Sequence, residues 1–426
     1  MLKFICFIAC LIASCLLQGQ SVYTNIKIDE GEGFHAPEEP SILINPKQPA
    51  NVLAAANIKN GYYSLDTGRT WVKQTMESKY GVYGDPCLVA DSKGRIYYFH
   101  LSNPDGKGWA SSMLLDRIVC QYSDDNGKTW SDGVGIGLNG SKDQDKEWAV
   151  VNPKNDHIYL TWTQFDLYNS EEEQDSTVIL FSRGKRKGKK WSKPKRINQY
   201  AGNCLDESET VEGAVPAVGP NGEIYVSWSL NNELYFDRSL DGGRTWLAQD
   251  IVVARNTGGW NFKVPGIQRT NGFPITKVDV SQGPHRRTIY INWSDQRNGD
   301  TDVWLIKSTD GGNSWSKPLR VNNDTTQTHQ FFTWMDVDPA TGYIYIVFYD
   351  RRNYTDTQTD VYMAISKDGG ESFTNERISE LPFTPKENVF FGDYNNISAY
   401  KGIIRPIWTR YEDGKLSIWT ALIEEN

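Results

Sequence analysis

Five close copies of one octet, Ser-x-Asp-x-Gly-x-Thr/Ser-Trp/Phe, and a sixth, degenerate copy punctuate this chain. The fullest copy reads Ser308, Thr309, Asp310, Gly311, Gly312, Asn313, Ser314, Trp315, and the others begin at Ser64, Ser123, Ser239 and Ser366. The degenerate copy, residues 182–191, keeps Gly188 and Trp191 but carries two extra residues and no Asp. Starts recur about every 58 residues, with one longer interval before Ser308. Such a period marks stacked repeats, in which no unit buries its apolar face alone. The octet has the chemistry of a turn. Its Asp carboxylate can accept backbone N–H groups a few residues on. Gly at the fifth position supplies a conformation that a Cβ disfavours. The terminal aromatic opens the next strand and packs between neighbouring units. Each copy therefore reads as a structural hairpin staple, not as a catalytic site.

Each unit reads as four short strands. In the second unit, residues 86–90 lead through a turn at 91–94 to a strand at 95–100. A third strand spans 118–122, followed by the octet and a fourth strand from Trp130. The pattern recurs at 148–151 with 158–162, 215–218 with 224–228, 277–280 with 289–293, and 334–337 with 344–348. Evenly spaced short strands with a repeated Gly/aromatic motif predict an all-β chain folded as a β-propeller. Inner strands number seven, from residues 40–44 to 394–398, so seven blades are expected, with six as the alternative. The chain ends where a seventh octet and a fourth strand are due. The orphan strand at 22–28 is expected to complete the last blade and leave no open edge.

Residues 1–20 read as a signal peptide: Lys3 precedes an apolar run, 4–17, too short to span a bilayer comfortably. Cleavage near residue 20 and export to the periplasm or medium are expected, with an outer-membrane lipoprotein lipidated at Cys15 as the alternative. Residues 22–426 then form a single propeller domain with no transmembrane segment. The net charge of −8 and the single basic run at 183–190, which falls in the degenerate turn, argue against nucleic-acid binding. Cys87, Cys120 and Cys204 form no disulfide framework. A third strand would separate Cys87 from Cys120 by roughly 9–10 Å, too far to bridge. A monomer is expected.

The octets are those of the Asp-box, or bacterial neuraminidase, repeat, and the chain from residue 22 onward resembles a sialidase-superfamily propeller. Segments 292–297 and 348–352 resemble exported bacterial members of that group. True sialidases use an arginine triad, an Asp acid/base and a Tyr nucleophile assisted by Glu. Their first arginine lies in a Phe/Tyr-Arg-Ile-Pro motif ahead of the first box. Here no arginine precedes Arg69, which is inside that box, so no triad is carried over. Tyr394 beside Asp393 late in the chain, and Glu212 near its middle, match the family in position only.

In a propeller, the residues leading into the inner strands share one face with the turns that follow the second strands, and the octets occupy the other. The first face collects the candidate catalytic set: Asp85, Glu212 and Asp393, with Tyr394 as nucleophile. Burial among Trp148, Phe331 and Phe391 would raise a carboxyl pKa. Arg297, Arg352, Arg410, Glu147 and Trp148 are the candidate substrate contacts. Asp295/Arg297 and Asp350/Arg352 occupy equivalent places in successive blades, which favours inter-blade ion pairs over substrate clamping. His35, His100 and His329 have no metal-ligand spacing, so no metal or cofactor is expected; a structural cation such as calcium is the alternative use of the carboxylates. The resemblance implies a glycan or glycoconjugate partner and an exo-acting glycoside hydrolase of acidic sugars. A non-catalytic carbohydrate- or protein-binding propeller and a polysaccharide lyase are the alternatives.

Overall fold

The computed structural model describes residues 23–33, 35–185 and 187–425. The expected leader and Cys15 lie outside the described residues. Within them the chain forms seven antiparallel sheets, each running from an inner to an outer strand in chain order. In the first blade these are β2 (Ser41–Ile44), β3 (Val52–Ala56), β4 (Asn60–Ser64) and β5 (Val72–Thr75). The last blade is closed from the other end of the chain. Its strands β27 (Asn396–Tyr400), β28 (Ile403–Glu412) and β29 (Lys415–Glu424) are followed by β1 (Thr24–Asp29), which pairs Thr24 with Leu422 and Ile26 with Thr420. The expected seven-blade ring and its closure are both present. A single 3-10 turn, Gly108–Ala110, is the helix found among the described residues, and no helix there is long and apolar enough to cross a membrane.

The second strands form the packed middle of each blade. Every residue of Ile96–Leu101, Ile158–Phe165 and Ile344–Asp350 is buried. These runs are rich in apolar and aromatic residues because both of their faces meet a neighbouring blade. The staples lock the far face. Asp310 Oδ1 accepts the amides of Asn313 at 3.0 Å and Ser314 at 2.9 Å, while Oδ2 accepts Ser314 Oγ at 2.6 Å. Ser308 Oγ donates to Asp310 and accepts Gly312 N, each at 2.8 Å. Gly312 has φ +87°, and a Cβ there would stand 2.5 Å from the Phe236 ring of the preceding blade. Trp315 packs edge-on against the same ring at 5.0 Å. The degenerate copy retains this aromatic anchor without its Asp: Trp191 Nε1 donates to Gly188 O at 2.8 Å, as Trp71 Nε1 does to Gly68 O at 2.9 Å. Cys87, Cys120 and Cys204 are all free and buried.

Candidate functional site: an axial cleft floored by a buried ammonium

The first three blades share one backbone device at the start of their inner strands. Glu39, Asp85 and Lys146 each stand two residues ahead of Ser41, Cys87 and Trp148, and each is left-handed, with φ of 50°, 48° and 50°. In the third blade the ladder register slips between Asp145 and Trp148, a bulge that turns the side chain toward the axis. A left-handed non-glycine residue costs of order 1–3 kcal/mol, and such strain collects at functional sites.

The three side chains meet. Lys146 Nζ lies 3.2 Å from Glu39 Oε1, 3.1 Å from Asp85 Oδ2 and 3.0 Å from Asp393 Oδ2. Burial alone would lower its pKa, but Asp85, Glu39 and Asp393 outweigh that effect and keep the ammonium charged. Arg269 continues the network, donating from Nε to Asp393 Oδ1 at 2.9 Å and pairing also with Asp206. Asn57 ties the first two blades together: its amide donates to Glu39 Oε2 at 2.6 Å and its carbonyl accepts Asp85 N at 2.7 Å.

Over this network opens a cleft of about 350 Å³, within the range of small-ligand sites. Glu38, Asp85, Asp145, Lys146 and Arg269 border it below, and Tyr83, Trp109, Tyr168 and Phe390 form aromatic walls. Trp109 lies 5.3 Å from Tyr168 and 6.2 Å from Tyr83, ring centroid to centroid. Burial pushes Asp85 above the usual carboxyl range despite Lys146, lifts Asp145 to about 6, and raises Glu38 well above its ordinary value. The charge of Asp85 adds to burial in raising Glu39, and that of Asp145 adds to burial in raising Asp85. Burial opposes ionisation of Asp393 as well, yet Arg269 and Lys146 hold it well below the usual range.

Of the candidates named from the sequence, Asp85 borders the cleft, and Asp393 stands directly behind its lining as the anchor of both cations. Tyr394 packs between Trp148 at 5.8 Å and Trp334 at 5.7 Å, with Lys146 5.8 Å from its ring; burial raises its phenol well above the ordinary value. Glu147 and Glu212 are completely buried, and neither carboxyl oxygen of either residue has a hydrogen-bond partner. Burial raises both well above the usual range. Trp148 also touches Phe273 and Trp334, whereas Phe331 and Phe391 pack on Tyr349, away from Asp85. The three arginines lie outside the cleft. Arg297 donates to Asp295 at 2.9 Å and stacks over Trp304; Arg352 donates to Asp350 at 2.8 Å and stacks over Tyr362. These pairs join neighbouring positions of one turn, so the inter-blade reading is corrected: a two-residue spacing lets each arginine fold back on its own aspartate. Arg410 pairs with Glu412 at 3.0 Å.

Sequence reasoning left Asp145, Lys146, Arg269 and the aromatic walls out of the site. For Lys146 a signal existed, since it aligns with Glu39 and Asp85 ahead of the inner strand. Arg269 had none. It sits between β18 (Ile251–Arg255) and β19 (Ile275–Val278), in the insertion that lengthens one repeat interval and has no counterpart elsewhere. A second cavity, of about 780 Å³, runs along the inner strands; aliphatic residues of those strands line it together with Trp148, Trp334, Asp91, Lys401 and a Lys277–Asp336 ion pair at 2.9 Å.

The family model for the BNR/Asp-box repeat matches residues 121–132. A sialidase of Paraclostridium sordellii is 24% identical over 208 residues, covering 44% of this chain and 48% of the relative, so the match spans about half of that protein. Among solved structures, a polysaccharide lyase, an ulvan lyase bound to -[GlcA(1-4)Rha3S]-, superposes with a TM-score of 0.56 at 14% identity, covering 95% of this chain and 96% of its own. The NanB sialidase of Streptococcus pneumoniae gives 0.50 at 12% identity, with coverages of 88% and 83%. At such identities the superpositions establish a shared fold.

Proposed function

We propose, on the premise that the chain is an Asp-box β-propeller of the sialidase superfamily, that it is an exo-acting glycoside hydrolase working at the axial cleft. One observation carries the reading: carboxyls whose burial raises their pKa above the ordinary range border an aromatic-walled cleft. A protonated carboxyl can give its proton to a glycosidic oxygen, and a neighbouring ionised one can activate water or stabilise the sugar cation. In this reading Asp85 is the general acid and Asp145 its partner. Lys146, Arg269 and Asp393 hold them in register, with Glu212 and Tyr394 acting from behind. Trp109 and Tyr83 offer apolar faces to a pyranose ring. A cleft of about 350 Å³ has room for few sugar residues, which favours exo action. The same network bears on the acidic-sugar form of the reading: a carboxylate clamp needs an uncommitted cation, and both cations here are neutralised.

A screen of the purified protein against an oligosaccharide panel tests this, reading new reducing ends and unsaturated products separately. Hydrolysis supports the reading, and unsaturated ends would replace it with a lyase. No turnover on any glycan, with binding retained, would leave a non-catalytic propeller. The leader reading puts the chemistry outside the cytoplasm, and N-terminal sequencing of the exported protein checks cleavage near residue 20.

A further inference from the structure

We propose that the axial cleft takes a sugar residue carrying a free, protonated amine, an inference that rests on the glycan reading above and names its substrate class. The first ground is the donor inventory. Lys146 directs its ammonium at three carboxylates, and Arg269 is spent on Asp393 and Asp206. Among the described residues no charged donor lining the cleft is left for a substrate carboxylate, so a uronic or sialic acid could bind only by breaking a buried ion pair. The second ground is the acceptors. Glu38 Oε2, on a side chain that is more than nine-tenths buried at the cleft, has no hydrogen-bond partner, and the equally buried Asp85 Oδ2 has the Lys146 ammonium 3.1 Å away. Buried acceptors of that kind are costly until a donor reaches them. The third is that the protein displays the recognition it would use: Lys146 is itself an ammonium held by carboxylates, 5.8 Å from the centre of the Tyr394 ring, whose face favours a cation. A hexosamine with its amine unsubstituted offers an ammonium that favours the ionised form of Glu38 and can donate to the carbonyl oxygen of a protonated Asp85, and a ring face for Trp109 and Tyr83.

Calorimetric titration of the full-length mature protein tests this at pH 6. The ligands are glucosamine tetramers, their fully N-acetylated counterparts, and uronate-bearing tetramers. The free-amine tetramer is expected to bind about tenfold more tightly or better. Glu38→Gln and Asp85→Asn, each checked for an unchanged melting temperature, are expected to remove that preference; either variant alone suffices if the other fails to fold. Equal or tighter binding of the acetylated or uronate tetramer, or a preference that survives the variants, overturns the inference while leaving the hydrolase reading standing. A lysine-rich peptide that binds as well as the free-amine tetramer also overturns it. If no sugar binds or is cleaved, both fall.

Discussion

Lys146 brings one ammonium within 3.0–3.2 Å of three carboxylates from three other blades, and each carboxylate is as buried as the lysine. Removing the ammonium strands those charges, so Lys146→Met is expected to cost about 3–5 kcal/mol, measured by urea unfolding. Glu212 presents the opposite case, a buried acid with no partner. Its folded pKa is raised well above the unfolded value of about 4.3. The native state therefore keeps a proton that the unfolded chain releases as pH rises, and stability is lost above about pH 4.3. Glu212→Gln removes that loss. The variant is expected to melt higher than the parent at pH 8, with the gap shrinking at pH 5; an equal gap at both pH values contradicts the account. A residue that lowers stability yet sits beside the cleft fits a functional constraint. The acids were legible in the sequence as polar residues just ahead of inner strands. Of their cationic partners, Lys146 shared that positional signal, whereas Arg269 did not, because it belongs to an insertion and pairs across more than a hundred residues with Asp393.

The staples and the strands they join carried most of what the sequence could reveal about the fold. Asp310, Gly312 and Trp315 act within eight residues, so local chemistry alone specified them, and the octet period counted the blades. The geometry sets firm expectations. Gly312→Ala adds a Cβ at φ +87° against the Phe236 ring and is expected to destabilise by about 1–3 kcal/mol. Asp310→Ala should lower the melting temperature while activity per folded molecule stays unchanged, since the staple lies on the face opposite the cleft. Asp66 and Asp368 illustrate the pH dependence of this element. Against slight burial, hydrogen bonds from Thr70 and Ser64, and from Ser372 and Ser366, hold each carboxyl down at about 2. Their stabilisation is complete above the unfolded pKa of about 3.9 and is lost as pH falls toward 2. An acid melting curve with no decline between pH 4 and pH 2 would contradict this. Deleting residues 23–29 removes β1 and exposes the outer edge of β29, so aggregation is expected by light scattering.

Ring closure converts distant sequence into one site. Residues from the first, second, third and last blades, together with the insertion ahead of the fifth, reach a single axial cleft that no local stretch of sequence describes. The topology also explains why the three sequence-named arginines mislead. They share the correct face, but Arg297 and Arg352 sit just past the end of a second strand and Arg410 near the end of one, and each is held there by its own aspartate or glutamate. The face could be inferred from strand order, whereas the distance from the axis could not, because it depends on which side chains fold back. The account's central claim is that glycan chemistry occurs at the axis and not at that outer ring. The most direct test compares turnover of Asp85→Asn and Arg297→Ala, both with parental melting temperatures, on a glycan that the parent hydrolyses. The account predicts a loss of about 10²-fold or more for Asp85→Asn, the usual contribution of a positioned acid, and parental turnover for Arg297→Ala. Full turnover in Asp85→Asn with a collapse in Arg297→Ala would contradict it.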